Sequence, residues 1–337
     1  MALRFADSFD HYATADLAKK WTSSTTAVIS AGNGRNSTAC LRCSGSVVNT
    51  ITLGAQTTWI VGFAFRTNAL AMSSDFLHLY DGTTLHVGLR TNGSGNMTVT
   101  RAGTLLGTGS AVLAINTYYH IAFKCNISDT TGTPVWYING VQDTVTWVTG
   151  TSSTQDTRNG GNASADRINL ASGGVQVDID DFYVMDTSGS VNNDIPADPD
   201  LRVEALFANG TGNYSQWSRL SGAANYEMVD EASADGDTTY NYELTANDID
   251  TYTMTNLTPT TGTIVGVQTN LWARKDDGGT RSVKPLFRIS STDYARTTVN
   301  LTDTYLDRLA IEETSPATAT AWTISEVNGL EFGAKVV

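Results

Sequence analysis

Apolar and polar residues alternate in short runs along most of the chain. The clearest case is Thr58–Thr67, TWIVGFAFRT, where Trp59, Val61, Phe63 and Phe65 fall on one side and Ile60, Gly62, Ala64 and Arg66 on the other. A period of two predicts a β-strand, and the large residues mark its core face. Thr117–Val141 repeats the pattern as two strands, YHIAFKCNI and PVWYINGV, joined by the turn-rich SDTTGT and closed at Asn139-Gly140. Asn-Gly supplies the positive φ angles of a tight hairpin turn, so this segment predicts an antiparallel sheet. Similar runs, separated by Gly, Ser, Thr and Asn roughly every 8 to 12 residues, predict about a dozen strands before residue 186 and seven or eight after residue 201. The best helical candidate, Tyr12–Trp21, is long enough for only two or three turns. The fold class is therefore all-β: a two-sheet jelly-roll sandwich followed by a second, smaller β-sandwich.

A shift in acidic residue type divides the chain. No glutamate occurs before Glu204, and all eight lie from there onward. Just before that point comes Asp186–Asp200, DTSGSVNNDIPADPD, which is small, polar and proline-bearing. This composition predicts a first sandwich over residues 1–190, a linker over 191–200 and a second sandwich over 201–337. In the second domain, the strand around residues 263–274 is expected to pair with Arg281–Ile289 through the Asp277-Gly278 turn.

The 337 residues carry 21 Lys and Arg against 34 Asp and Glu, a net charge of −13. Such a surface repels phosphate backbones and argues against nucleic acid as a partner. The amino-terminal segment has no apolar run of signal-peptide type and no window approaches a membrane span, so cytoplasmic synthesis without membrane insertion is expected. Cys40, Cys43 and Cys125 are an odd set that reads as buried free thiols rather than a disulfide framework or a zinc site.

Candidate chemistry is sparse. Val177–Asp186, VDIDDFYVMD, places Asp178 and Asp180 on one face, with Asp181 joining them only through a bulge. Paired carboxylates are the machinery of glycoside hydrolysis, but the domain offers no glutamate and no aromatic sugar platform around this strand. A strand with a solvent-facing polar side is the expectation instead. Calcium is the one cofactor the turns suggest, with Asp81 and Asp129 as ligand candidates, although ordinary turns use the same residues. The four histidines show no metal or triad spacing, and His120 is expected at a sandwich edge with one nitrogen hydrogen-bonded. Trp147 and Trp217 sit in the most loop-like contexts and are the candidates for an interface or ligand contact. Asp230, Glu231, Asp235 and Asp237 form an acidic group that also reads as a solvated turn.

The hairpin wording TYYHIAF…VWYING is similar to that of laminin-G-like, concanavalin-type sandwiches. Together with FADSFDHY (residues 5–12), WIVGFAFR (residues 59–66) and DIDDFYVMDTSG (residues 178–189), it resembles tailed-bacteriophage virion proteins that carry such a domain. The later segments RVEALF, YSQW, DGDTTY, RKDD and LEFG resemble the carboxyl-terminal module of the same proteins. The resemblance implies a non-enzymatic virion structural protein of tail, neck or capsid surface, made in the host cytoplasm and assembled with other virion proteins and with copies of itself. It brings no catalytic residues with it. The alternative is an adhesin that recognises host-surface glycan, with or without calcium, through a concave face bearing Trp or Tyr beside Asn and Asp. A glycoside hydrolase ranks below both.

Overall fold

The computed structural model describes residues 2–196, 198 and 200–337, so Ala197 and Pro199 of the expected linker lie outside the described residues. The chain forms two compact units, Met1–Asp10 with Thr14–Val203, and His11–Ala13 with Glu204–Val337. Strands account for 45% of it and helices for 6%, which makes it an all-β protein.

The first unit contains β1 (Leu3–Asp7), β2 (Ser23–Thr25), β3 (Val28–Ser30), β4 (Cys40–Cys43), β5 (Val48–Gln56), β6 (Thr58–Thr67), β7 (Leu77–Asp81) and β8 (Thr84–Thr91). It continues with β9 (Asn96–Arg101), β10 (Thr104–Val112), β11 (Tyr119–Asn126), β12 (Val135–Ile138), β13 (Val141–Gln142), β14 (Val145–Trp147), β15 (Ala165–Ala171) and β16 (Val177–Asp186). They make two antiparallel sheets. The front sheet runs β13-β12-β11-β6-β16-β4-β3, with β1 also on β16, and the back sheet runs β14-β10-β9-β8-β7-β15-β5-β2.

The alternation in β6 is realised directly: Trp59, Val61, Phe63 and Phe65 are fully buried, and Phe63 and Phe65 meet Phe76 of the back-sheet side at ring separations of 5.9 and 4.6 Å. From the back sheet, Leu77, Leu79, Val87, Leu89, Val99, Ile168 and Leu170 close the core. Each such side chain contributes on the order of 1.5–3 kcal/mol by leaving water. The Thr117–Val141 hairpin also forms as its turn chemistry dictates. Ile121 stands opposite Ile138 and Phe123 opposite Trp136, and Asn139 and Gly140 take φ of 49° and 75° before the chain returns as β13.

The opposite face of the front sheet is not left to solvent. Every residue of β16 is buried, and at Gly62 a side chain would strike the Tyr183 ring, whose Cζ would stand 1.9 Å from an added Cβ. The expectation of a polar, solvent-facing side for this strand is therefore overturned. Tertiary cover, invisible to periodicity, buries both faces.

The second unit contains β17 (Ala208–Ser215), β18 (Ser218–Arg219), β19 (Asn241–Tyr242), β20 (Ile249–Met254), β21 (Val267–Ala273), β22 (Ser282–Ile289), β23 (Thr292–Ala295), β24 (Val299–Asn300), β25 (Leu306–Glu312) and β26 (Glu331–Val336). Its main sheet is β17-β20-β26-β22-β23, with β24 also on β22, beside the two-stranded ladders β18-β19 and β21-β25. A helix, α1 (Ile324–Gly329), starts with a capping box in which the Thr323 Oγ1 accepts from the Glu326 amide and the Glu326 carboxylate accepts from the Thr323 amide. Val327 of this helix and neighbouring Trp322 and Leu330 pack on Phe287 and Ile289.

The strand pairing expected across Asp277-Gly278 does not form. β21 pairs with β25, residues 306–312, while β22 pairs with β26. The turn residues do fold locally, with the Gly279 amide donating to Asp277 Oδ1. However, eight residues separate the two strands, too many for a tight hairpin to fix the partner. Among the described residues no helix is long and apolar enough to cross a membrane.

Candidate functional site

The acidic strand β16 organises the chemistry of the first unit. Its outer edge changes partner along its length: Val177–Ile179 pair with β4 and Phe182–Met185 with β1. Between them the register against β6 slips, and Asp181 takes a φ of 50°. This is the bulge that an extra residue requires when one strand must serve two neighbours.

Four aspartates on this strand meet four arginines or backbone donors brought from elsewhere in the chain. Asp178 lies in register between Arg42 and Arg66 and accepts from both, at 2.8 Å from Arg42 Nε and 2.6 Å from Arg66 Nη2. Asp186 accepts from Arg4 Nε at 2.5 Å and from the Ser188 amide at 2.8 Å. Asp181 accepts from Arg35 Nε and from the Val203 amide, both at 2.8 Å. Arg35 also donates to Asp200 at 2.6 Å and to the Leu201 carbonyl at 2.7 Å, so one guanidinium ties residues 200–203 to the acidic strand.

Among the described residues no cationic side chain pairs with Asp180. It accepts from the Arg35 and Asp181 amides at 2.7 and 2.8 Å and from the Thr38 hydroxyl at 3.1 Å. Burial, reinforced by the neighbouring Asp181 charge, pushes Asp180 up to about 8, and burial raises Asp181 as well. These two carboxyls are thus committed to holding the chain segments that cover them.

Asp178 faces something different. With Arg42 and Arg66 it lines a cleft of about 310 Å³, whose other lining residues are Asn33, Thr67, Asn68, Asn116 and Gln176. The Tyr118 ring packs against the Arg66 guanidinium at 4.7 Å, and its hydroxyl donates to the Asn33 carbonyl at 2.7 Å. That carbonyl also accepts from Arg66 Nη2 at 2.8 Å, so Arg66 is held by Tyr118, Asn33 and Asp178 together. Hydrogen bonding to Asp178 raises Arg42 above its ordinary value, and both arginines stay charged at any working pH. None of this was legible from residue spacing, because Asn33, Arg66, Asn116 and Asp178 come from four separate segments. The only sequence signal was the polar Arg66 ending an otherwise apolar strand.

The residues singled out from the sequence are placed elsewhere. Asp129 is engaged by Arg158 through both carboxylate oxygens, and Asp81 accepts from the Asn162 side-chain amide at 2.6 Å. Among the described residues no three His, Cys, Asp or Glu side chains gather where they could hold a metal, and each of these aspartates is engaged by a nitrogen donor. Trp147 is not in a loop. It lies on β14, half-buried, edge-on to Trp136 at 6.5 Å and over Gly107, where an added Cβ would come within 2.6 Å of its ring. Trp217 is also half-buried, with its indole N–H donating to the Asp248 carbonyl at 3.2 Å. Neither ring is presented as a free anchor.

His120 is not at an edge either. It sits on β11 beside central β6, 3% exposed, with Nε2 3.3 Å from the Tyr183 hydroxyl. Burial lowers it to about 4, so it is neutral at pH 7. Cys40, Cys43 and Cys125 are buried free thiols raised by desolvation. The acidic group of the second unit is dispersed among partners: Thr239 bonds Glu231 and Asp235, and Arg274 and Tyr305 bond Asp237.

No protein-family model matches the chain, and no curated protein matches it. Solved structures similar to part of it include the alginate lyase Aly36B, at 12% identity and a TM-score of 0.34, covering 54% of this chain and 96% of the other. A glycoside hydrolase family 131 catalytic domain from Coprinopsis cinerea matches at 12% identity and a TM-score of 0.34, over 58% of this chain and 98% of the other. A galectin-like protein of unknown function from Bacillus subtilis matches at 14% identity and a TM-score of 0.34, over 55% and 96%. These are sandwich domains, two of them with carbohydrate-active names, and nothing in them points to bacteriophage origin. At such scores they carry no inference about this chain's activity. The sandwich is established by its own two sheets, and the virion resemblance rests on the sequence segments alone.

Proposed function

We propose that this protein is a non-enzymatic, surface-displayed glycan-binding protein whose recognition site is the Arg42–Asp178–Arg66 cleft. The observation that carries this reading is a polar cleft of about 310 Å³ lined by charged, amide and hydroxyl side chains, next to the Tyr118 ring. Sugars present hydroxyl groups that such side chains match, around ring faces that aromatic residues flank. The absence of catalysis is proposed on the state of the carboxyls. Hydrolysis needs a proton donor and a second carboxylate flanking the scissile bond. Here Asp178 is committed to two guanidinium groups, while Asp180 and Asp181 are spent on Arg35 and backbone amides beneath their cover.

The test is a glycan array probed with the full chain and with an Arg66→Ala/Asn68→Ala variant, followed by chromatography of any bound glycan for cleavage products. Binding by the parent and loss in the variant is the expected result. A silent array, binding that ignores the variant, or product release overturns it.

A virion setting is a second reading, favoured by where the resembling segments lie. FADSFDHY and DIDDFYVMD are brought together as β1 on β16, where Phe5, Phe182 and Trp21 pack ring to ring at 5.1 to 6.1 Å. The resemblance therefore concerns scaffold residues and is compatible with any cleft chemistry. Immunogold labelling of purified phage particles with an antibody to this chain tests it, and unlabelled particles reject it.

A further inference from the structure

Resting on the reading of the cleft as a glycan site, we propose that the sugar it takes is an acidic one, with a carboxylate of the ligand seated on the Arg42 and Arg66 guanidinium groups. Two observations support this choice over a neutral sugar.

The first is charge. The cleft holds two arginines and one aspartate, a local balance of +1 in a chain whose net charge is −13. Among the described residues no other charged side chain lines it. A positively charged cleft in an acidic protein concentrates anions where the rest of the surface repels them.

The second is the count of unused hydrogen-bonding groups. The Asp178 carboxylate is already taken by Arg42, Arg66 and, at 3.5 Å, Gln176. The Asn33 carbonyl is taken by Arg66 and Tyr118, and Asn68 Oδ1 by the Gln176 amide at 3.0 Å. Asn33 Oδ1, Asn116 Oδ1 and Gln176 Oε1 are the lining side-chain acceptors without a hydrogen bond among the described residues, and the unused donor hydrogens outnumber them. Nη1 of Arg42 and of Arg66 makes no hydrogen bond among the described residues, and the Asn68 amide NH₂ is likewise unused. Guanidinium groups match carboxylates in plane and charge, and such bonds are about twice as strong as neutral ones. With the side chains of Arg42 and Arg66 about one quarter exposed, a ligand can reach these groups without the Asp178 pairs breaking.

Matched probes give the test: a hexuronate oligosaccharide, the same oligosaccharide with its carboxyls reduced to primary alcohols, a sialylated oligosaccharide and an O-sulfated one, each titrated calorimetrically against the full chain. The carboxylated probes are expected to bind at least tenfold tighter than the carboxyl-reduced one, and the preference is expected to shrink as salt rises. Arg42→Gln should abolish the preference. Because that change could disturb the Asp178 cluster, Asn68→Ala serves as the second variant: it leaves the three charged residues intact and is expected to weaken all probes alike while keeping the preference. Equal affinity for the carboxylated and reduced forms overturns the acidic-sugar inference and leaves the cleft reading standing. Binding of the sulfated probe alone overturns the carboxylate assignment. Failure of every saccharide removes both the inference and the reading beneath it.

Discussion

The acidic strand of the first unit and the exposed turns of the second treat ion pairs in opposite ways, while the first unit also carries surface pairs such as Asp129–Arg158. In the first, the carboxylates of β16 are buried, with Asp178 2% and Asp181 6% exposed, and the arginine partners of these two lie 112 to 146 residues away. In the second, pairs such as Asp237–Arg274 and Asp277–Arg281 stand on the surface, with the aspartate side chains 63% and 39% exposed. Taking a charge out of water costs several kcal/mol unless its partners restore it, whereas a surface pair exchanges one solvated state for another. The same chemical pair is therefore a structural commitment in one place and close to neutral in the other. The commitments also leave one cluster, Asp178 with Arg42 and Arg66, facing an open cleft.

This contrast can be broken most severely at Asp178. Asp178→Ala leaves Arg42 and Arg66 without their shared acceptor and is expected to cost about 3 kcal/mol in urea denaturation. A loss below about 1 kcal/mol would place this cluster with the surface pairs. Next comes Arg35→Ala, which orphans the buried Asp181 carboxylate and releases residues 200–203. A loss of about 2 kcal/mol is expected, together with faster proteolytic cleavage between residues 191 and 203. Unchanged cleavage would show that Arg35 does not hold this segment.

A smaller effect comes from pH. With Asp180 raised to about 8 against an ordinary value of 3.8, the folded state keeps a proton that the unfolded chain has already released. The resulting stabilisation is present at low pH and lost as pH climbs from about 4 to about 8. Between pH 6 and 7 the decline is at most about 1.4 kcal/mol. Asp180→Asn should flatten it, and a slope that survives the substitution would assign it to another group. Last, Asp237→Asn in the second unit is expected to leave the melting midpoint unchanged within calorimetric error at low and at high salt. A clear drop would remove the distinction between the two units.

Much of this fold was legible in local pattern. The large-residue face of Thr58–Thr67 and the Asn139-Gly140 reversal each depend on interactions a few residues apart, and each forms. The site was not legible. Asn33, Arg66, Asn116 and Asp178 become neighbours only through the order of strands in the front sheet, and no spacing announces that order. Trp147 misleads for the same reason: its polar neighbours suggest a loop, but a three-residue edge strand seats it against Trp136. The Asp277-Gly278 turn specifies a reversal and nothing about which strands pair beyond it.

By itself, then, the sequence determined the all-β class and the core face of strands such as Thr58–Thr67, because burial of alternating apolar residues and turn geometry are local and additive. Only the tertiary structure decided which aspartates are buried, that Arg35 fastens residues 200–203, and that two arginines and one carboxylate share an open cleft. Those outcomes depend on partners more than a hundred residues apart, whose meeting is set by sheet order and by the desolvation of charge.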